Sequence, residues 1–241
     1  MSDVALGSGS LSIHIGSFSG AAAEAGGVAV VIDVFKAFTT AAVAFANGAG
    51  QIIMVGDPSH ALELRSSGVG KYCMGEYNGC RPEGFDFGNS PTEIASQRFH
   101  GETLIQTTSN GTRGVLAAAK ARLIFAGALS TAEATVRAIQ ESGDREISLI
   151  AMGVKDRIRT EEDEVCALYL RARLLGRHPD KYALKALVTT MSSRSDSAQL
   201  DEADIVACLT VDAYDFAIRV QHVDNYYIAC VQPPRTPSVC P

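Results

Sequence analysis

The 241-residue sequence contains no run of basic residues, and its 21 Lys and Arg are outnumbered by 27 Asp and Glu, for a net charge of −6. Clustered cations are what hold a phosphate backbone or an anionic lipid surface, so neither nucleic acid nor a membrane is an expected partner. No stretch approaches the ~18 consecutive apolar residues of a membrane span. The opening Met1–Ser10 lacks the basic start and apolar core of an export signal. Six cysteines (Cys73, Cys80, Cys166, Cys208, Cys230, Cys240) form no Cys-x-x-Cys pair, which argues against a zinc site or a disulfide frame and for free thiols in a reducing compartment, the cytoplasm. His14, His60, His100, His178 and His222 fall at unrelated positions, so a histidine cage for a metal is not expected. There is no internal repeat and no low-complexity linker.

Several phosphate-handling signatures are also missing. No Gly-x-x-x-x-Gly-Lys-Ser/Thr is present, which excludes a nucleotide P-loop. An Asp-x-Asp-x-Thr nucleophile motif is absent, because Asp33 is followed by Val34-Phe35 and Ala37 stands at the Thr position. No Cys precedes an Arg with five residues between, and Arg177-His178 is followed by Pro179 rather than Gly. Apolar residues make up 46% of the chain and charged ones 20%, enough for an ordinary core and too apolar for disorder.

What is present begins with Val28–Asp33. Five apolar, mostly β-branched residues read as a strand buried on both faces, as in the middle of a parallel sheet. Asp33 closes the run, Lys36 follows one short turn later, and Thr39-Thr40 opens an Ala-rich helix through Asn47. An acid at the carboxyl end of a central strand is where open α/β sheets place their sites; the plainer alternative is a helix cap. Around this strand a strand–helix rhythm is predicted. Strands are expected at 11–15, 51–55, 71–74, 103–106, 122–125 and 146–152. Helices are expected at 58–67, 92–98, 112–121, 130–141 and 161–175. A small-residue loop should join 15 to 28. The C-terminal third should hold helical segments near 181–190 and 197–208, then a Tyr-rich strand at 226–231 and a Pro-rich end. Such alternation implies an α/β fold, with a mainly parallel sheet and helices on both faces. The chain reads as one unit over 1–241, with candidate subdomains at about 1–125 and 126–241.

Four further polar clusters sit where strands end. Glu76 follows the strand at 71–74. Arg81–Pro91 is a long loop whose Gly84 and Gly88 permit turns, and Asn89-Ser90-Pro91 is a helix entrance. Thr107–Gly114 carries hydroxyls (Thr107, Thr108, Ser109, Thr112), Asn110, Gly111 and Arg113 at a helix start, the components of an anion cradle or of a well-capped helix. Thr160–Glu164 has capping-box spacing from Thr160 to Asp163, yet four consecutive acids exceed what a cap requires, and hard carboxylate oxygens suit Mg²⁺.

These residues also carry a family likeness. Val30–Thr40 with Ala46–Ala49, Gly75-Glu76, Glu83–Pro91, Thr107–Arg113 and Glu162–Ala167, with a weaker echo at Val211–Asp215, resemble the 2-phosphosulfolactate phosphatases, the ComB-like family, in the family's order. The resemblance implies an α/β fold of two interlocked subdomains and a Mg²⁺-dependent phosphatase. Its substrates would be phosphate esters of small 2-hydroxy acids, with 2-phosphosulfolactate giving 3-sulfolactate and phosphate, a step of coenzyme M biosynthesis in archaea. It further implies metal binding or water activation by Asp33, Glu76 and one of Glu162 or Asp163. Asn110, Gly111, Thr112 and Arg113 would hold phosphate beside Lys36, joined by Thr39, Thr40 and Ser109, and Asn89 and Ser90 would shape the substrate pocket. Lys36 stands where the family usually has Arg, exchanging a planar fork for a point charge, which bears on the substrate more than on the chemistry. The loop Gly153–Arg159 replaces the family's Gly-rich version with one carrying three cations. The partner is then a small anionic phosphate ester, and the C-terminal third is a candidate homodimer interface. Two alternatives remain: an isochorismatase-like hydrolase with an Asp-Lys-Cys triad, and a non-catalytic sensor of a phosphorylated metabolite.

Overall fold

The computed structural model describes residues 10–192 and 201–234, with side chains at 191 and 192 excepted. Residues 1–9, the Pro-rich end from 235 on with Cys240, and the 197–200 part of the helix expected at 197–208 lie outside the described residues. No helix among the described residues is long and apolar enough to cross a membrane.

Nine strands form one sheet: β1 Ser12–Ser17, β2 Val28–Ile32, β3 Gln51–Val55, β4 Tyr72–Gly75, β5 Thr103–Thr107, β6 Leu123–Gly127, β7 Glu146–Ala151, β8 Ala217–Val223 and β9 Tyr226–Gln232. Their spatial order is β1-β7-β2-β6-β8-β9-β3-β5-β4. The first four strands in that order are mutually parallel, as are β3, β5 and β4. The hairpin β8–β9 runs antiparallel between the two groups, pairing β6 on one side and β3 on the other. The fold is therefore α/β with a mainly parallel sheet, as expected. Both parallel groups draw on the chain before residue 125, and a division near 125 falls inside β6.

The helices are α1 Phe18–Glu24, α2 Ala37–Ala46, α3 Pro58–Ser66, α4 Pro91–Ala95, α5 Gly111–Ala117, α6 Ala132–Ser142, α7 Glu161–Leu174, α8 Lys181–Ser192 and α9 Glu202–Cys208. On one face, Ala29, Val31, Met54, Leu104, Ala126 and Val220 meet residues of α2, α4 and α5. On the other, Val30, Ile32, Phe125 and Leu149 meet α6, α7 and α8. Ile53, Cys73 and Ile105 meet Ala61 and Leu64 of α3. Every residue of β2 is buried, because the strand lies inside the sheet with helices above and below it.

Three expectations need correction. The stretch joining β1 to β2 is not a loop: its small residues form α1, packed close enough that a Cβ at Gly16 would lie 2.7 Å from the Ala21 Cβ. And the C-terminal third contributes a second strand, β8, which has no counterpart among the expected strands. The short helix expected at 92–98 also ends earlier, at Ala95.

Candidate functional site

The carboxyl ends of β2, β4, β5 and β7 bring four of the expected clusters together. Asp33 follows β2 directly and is buried. Its carboxylate accepts the Ala37 N–H at 3.1 Å, at the start of α2, and the Gly111 amide at the start of α5 also donates to it. Gly111 is required here: a Cβ would sit 2.9 Å from Asp33 Oδ2, 2.9 Å from the Ala37 Cβ and 3.1 Å from the Phe38 ring. Burial pushes the Asp33 carboxyl from 3.8 to about 7, outweighing these amides, and the nearby Glu76 and Glu162 carboxylates push the same way.

Glu76 leaves β4 through Gly75, whose φ of +135° and 1.8 Å approach of a hypothetical Cβ to the Thr107 oxygen exclude other residues. Its Oε1 accepts the Ser109 N–H at 2.6 Å, and its Oε2 accepts the Ser109 hydroxyl at 2.9 Å and the Gly79 N–H at 2.7 Å. The anion cradle read at 107–114 thus already receives two of the protein's own carboxylates, Glu76 at Ser109 and Asp33 at Gly111. Several of its other polar groups are engaged as well. Thr112 Oγ1 accepts the Thr108 N–H at 2.9 Å and donates to the Thr108 carbonyl at 2.8 Å. Asn110 Oδ1 accepts the Lys155 N–H at 3.0 Å, tying the cation-bearing loop after β7 to the start of α5. Arg113 is exposed and makes no hydrogen bond or ion pair among the described residues.

In the acidic helix α7, adjacent residues play different parts. Both Asp163 oxygens are engaged, Oδ1 by the Val34 N–H at 2.8 Å and Oδ2 by the Gly153 N–H at 2.9 Å, so Asp163 joins the loops after β2 and β7. Burial holds its carboxyl well above the usual range, with Glu162 and Asp33 adding to the effect. Glu162 is buried too, and burial raises its pKa although its own amide and the Thr160 hydroxyl lower it. It makes no bond to another loop among the described residues. Glu164 is bound instead to Ser17 at 2.9 Å and to Arg159 at 3.6 Å.

Magnesium keeps several waters and is held through one or two carboxylates plus substrate oxygens. The donors present fit that habit. Among the described residues no three His, Cys, Asp or Glu are grouped to hold a metal. Asp33 and Glu162, however, are two buried acids whose pKa values are raised, and Glu162 is tied to no other loop among the described residues.

Lys36 points to a residue that sequence reasoning missed. Its Nζ lies 2.9 Å from Asp204 Oδ2, on α9. Asp204 Oδ1 accepts from Ser90 Oγ at 2.8 Å, Thr92 N at 3.0 Å and Thr92 Oγ1 at 2.6 Å. Burial alone would raise the Asp204 carboxyl, but Lys36, Thr92 and Ser90 together hold it below its ordinary value. Asp204 so binds Lys36 to the Asn89-Ser90 loop. Nothing in Glu202–Cys208 marks it, since one acid in a short helix looks like a solvated one. Nearby, Asn89 Oδ1 and the hydroxyls of Thr40 and Thr107 are buried without a hydrogen-bond partner, whereas Thr39 donates to the Val34 carbonyl at 3.0 Å. The thiols of Cys166 and Cys208 are buried and pushed up by that burial, the opposite of an activated nucleophile.

A sequence model described as 2-phosphosulpholactate phosphatase matches residues 18–222. A protein of Bacillus subtilis named probable 2-phosphosulfolactate phosphatase is 30% identical over 201 residues, 80% of this chain and 86% of that one. Proteins of the same name from Caldicellulosiruptor saccharolyticus and Thermotoga petrophila are 35% and 37% identical. Those alignments cover 64% and 56% of this chain and 65% and 57% of the relatives' lengths, just under and well under two thirds of each relative.

Proposed function

The chain belongs to the 2-phosphosulfolactate phosphatase family, and from that premise we propose that it hydrolyses phosphate esters of a small 2-hydroxy acid. The substrate we favour is 2-phosphosulfolactate, giving 3-sulfolactate and phosphate. The observation that carries the reading is the buried Asp33 carboxyl, held between the first amides of α2 and α5 with Glu76 and Glu162 close by. Asp33 and Glu162 would hold Mg²⁺, which supplies charge neutralisation for the phosphoryl oxygens and acidifies water. Glu76 and Asp163 keep the surrounding loops in place. Attack of water on the phosphorus would break the P–O ester bond as the hydroxy acid leaves; burial raises the Asp33 carboxyl to about 7 in the metal-free fold, so that ionised Asp33 calls for a compensating cation beside it. Lys36, Arg113 and the loop cations Lys155 and Arg157 are the charges available to an ester bearing a phosphate and a second acidic group. The reading extends to a cytoplasmic enzyme without nucleic-acid or membrane partners, and to a homodimer built on the C-terminal third.

The test is phosphate release from 2-phosphosulfolactate and a panel of 2-hydroxy acid phosphate esters, with Mg²⁺ and with EDTA. Release should fall at least ~100-fold with EDTA and with Asp33→Asn. Release that survives both overturns the metal mechanism. Absence of release from every ester favours a sensor.

A further inference from the structure

A cavity of about 430 Å³ lies at the other end of the sheet from Asp33. Its position follows from the strand directions. The candidate site occupies the carboxyl ends of the parallel strands, whereas this cavity opens where β6 begins, at Leu123 and Ile124, beside the far end of the hairpin β8–β9. β8 pairs with β6 at Ile218–Val220 and then runs on through Gln221–Val223, paired only with β9. That overhang and the connection from α5 to β6 form the walls.

Three features of the lining point one way. None of the lining residues is acidic, in a chain whose acids outnumber its Lys and Arg 27 to 21. Arg219 enters the cavity with no hydrogen bond or ion pair among the described residues, and its Nε is buried without a partner. A buried guanidinium nitrogen left without an acceptor is costly, so an unfilled acceptor position is implied beside it. Lastly, His222 stacks on Tyr227, with ring centroids 4.6 Å apart, and the Tyr227 hydroxyl is turned to the Leu116 carbonyl at 3.4 Å. This makes a flat, fixed part of the lining. Arg122 also lines the cavity, with its charge already met by Asp144. The volume lies within the ~300–1,000 Å³ of small-molecule sites.

We infer that this cavity is a second anion-binding site, in which Arg219 takes a phosphate- or carboxylate-bearing small molecule. The inference does not depend on the reaction at Asp33. Planar donors in a fork match the paired oxygens of such anions.

Inorganic phosphate is the probe, titrated calorimetrically into the full chain and into Asp33→Asn, Arg219→Gln and Gln221→Glu. Gln221 is exposed at the cavity, so its replacement adds an acid at the mouth without disturbing the core. A binding event should persist in Asp33→Asn and weaken about ten-fold or more in both cavity variants, the loss of one charge-assisted contact. Phosphate release from the ester panel should be unchanged in Gln221→Glu. Binding equal in wild type and Gln221→Glu overturns the proposal, as does the loss of all phosphate binding in Asp33→Asn. If Arg219→Gln does not fold, Gln221→Glu decides alone.

Discussion

Replacing Asp33 by Asn should make the protein more stable at pH 8 while abolishing its chemistry. The Asp33 carboxyl titrates at about 7 in the fold against 3.8 when free. Between those values the folded chain keeps a proton that the unfolded chain has lost, so stability falls as pH rises through the window and levels off above about pH 7. At ~1.36 kcal/mol per pH unit, the gap amounts to about 4 kcal/mol. Asparagine removes this dependence but has one carbonyl oxygen for two donors, the Ala37 and Gly111 amides. That mismatch costs about 1–3 kcal/mol. The net expectation is a variant about 1–3 kcal/mol more stable at pH 8 and about 1–3 kcal/mol less stable near pH 4, where wild type keeps its proton. Asp163 is held up partly by the Asp33 charge, so its relief acts in the same direction. Urea unfolding from pH 4 to 8 reads the difference directly. Mg²⁺ at 100 times its Kd should stabilise wild type by about 2.7 kcal/mol at pH 8 and have little effect on the variant. A variant that loses as much stability at pH 8 as at pH 5 would refute the reasoning, because the ionised carboxylate would then be no burden to the fold.

Two other substitutions separate positioning from packing. Asp204→Ala frees Lys36, Ser90 and Thr92 together, and should lower stability by about 1–3 kcal/mol, discounted for the partial exposure of Lys36. It should also raise KM for the ester more than it lowers kcat, whereas Asp204→Asn keeps an acceptor for Ser90 and should recover part of that loss. An unchanged KM in Asp204→Ala would reduce Asp204 to a structural tie. Gly111→Ala places a methyl group 2.9 Å from both Asp33 Oδ2 and the Ala37 Cβ. Overpacking of this kind costs about 1–3 kcal/mol in thermal or urea unfolding, and displacing Asp33 should reduce phosphate release more than tenfold, since misplacement of ~1 Å can cost a hundredfold. A variant with native activity would show that Asp33 does not depend on this close approach.

The sequence made some of this architecture legible and hid the rest, and the division has a physical cause. Local signals survived. The β-branched run Val28–Ile32 became a fully buried strand, and Asp57-Pro58 became a cap and first residue, with Ser59 N donating to Asp57 at 2.8 Å. What failed were features decided by distant partners. Gly, Ala and Ser between 16 and 27 carry no apolar period, yet close packing makes a helix of Phe18–Glu24, where a loop had been expected. β8 is a strand because β6 and β9 offer it ladders on both sides. The polar clusters show the same limit more sharply. The sequence marks Glu76, Asp163, Ser109 and Asn110 as groups facing a ligand, and in the fold their oxygens also accept backbone amides of neighbouring loops. A carboxylate that receives two or three N–H groups and one that awaits a cation look identical in sequence; they differ in where the amides of other elements point. By that criterion Glu162 separates from Asp33, Glu76 and Asp163, each of which receives amide N–H groups from elsewhere, and Asp204 emerges from a helix that gave no sign of it. Lys36 then takes on a definite meaning. Where an Arg fork could span two oxygens, the Lys36 ammonium is held as a single charge by Asp204, which also holds Ser90 and Thr92. A change of ester preference should therefore follow Lys36→Arg only when Asp204 can still hold the longer side chain.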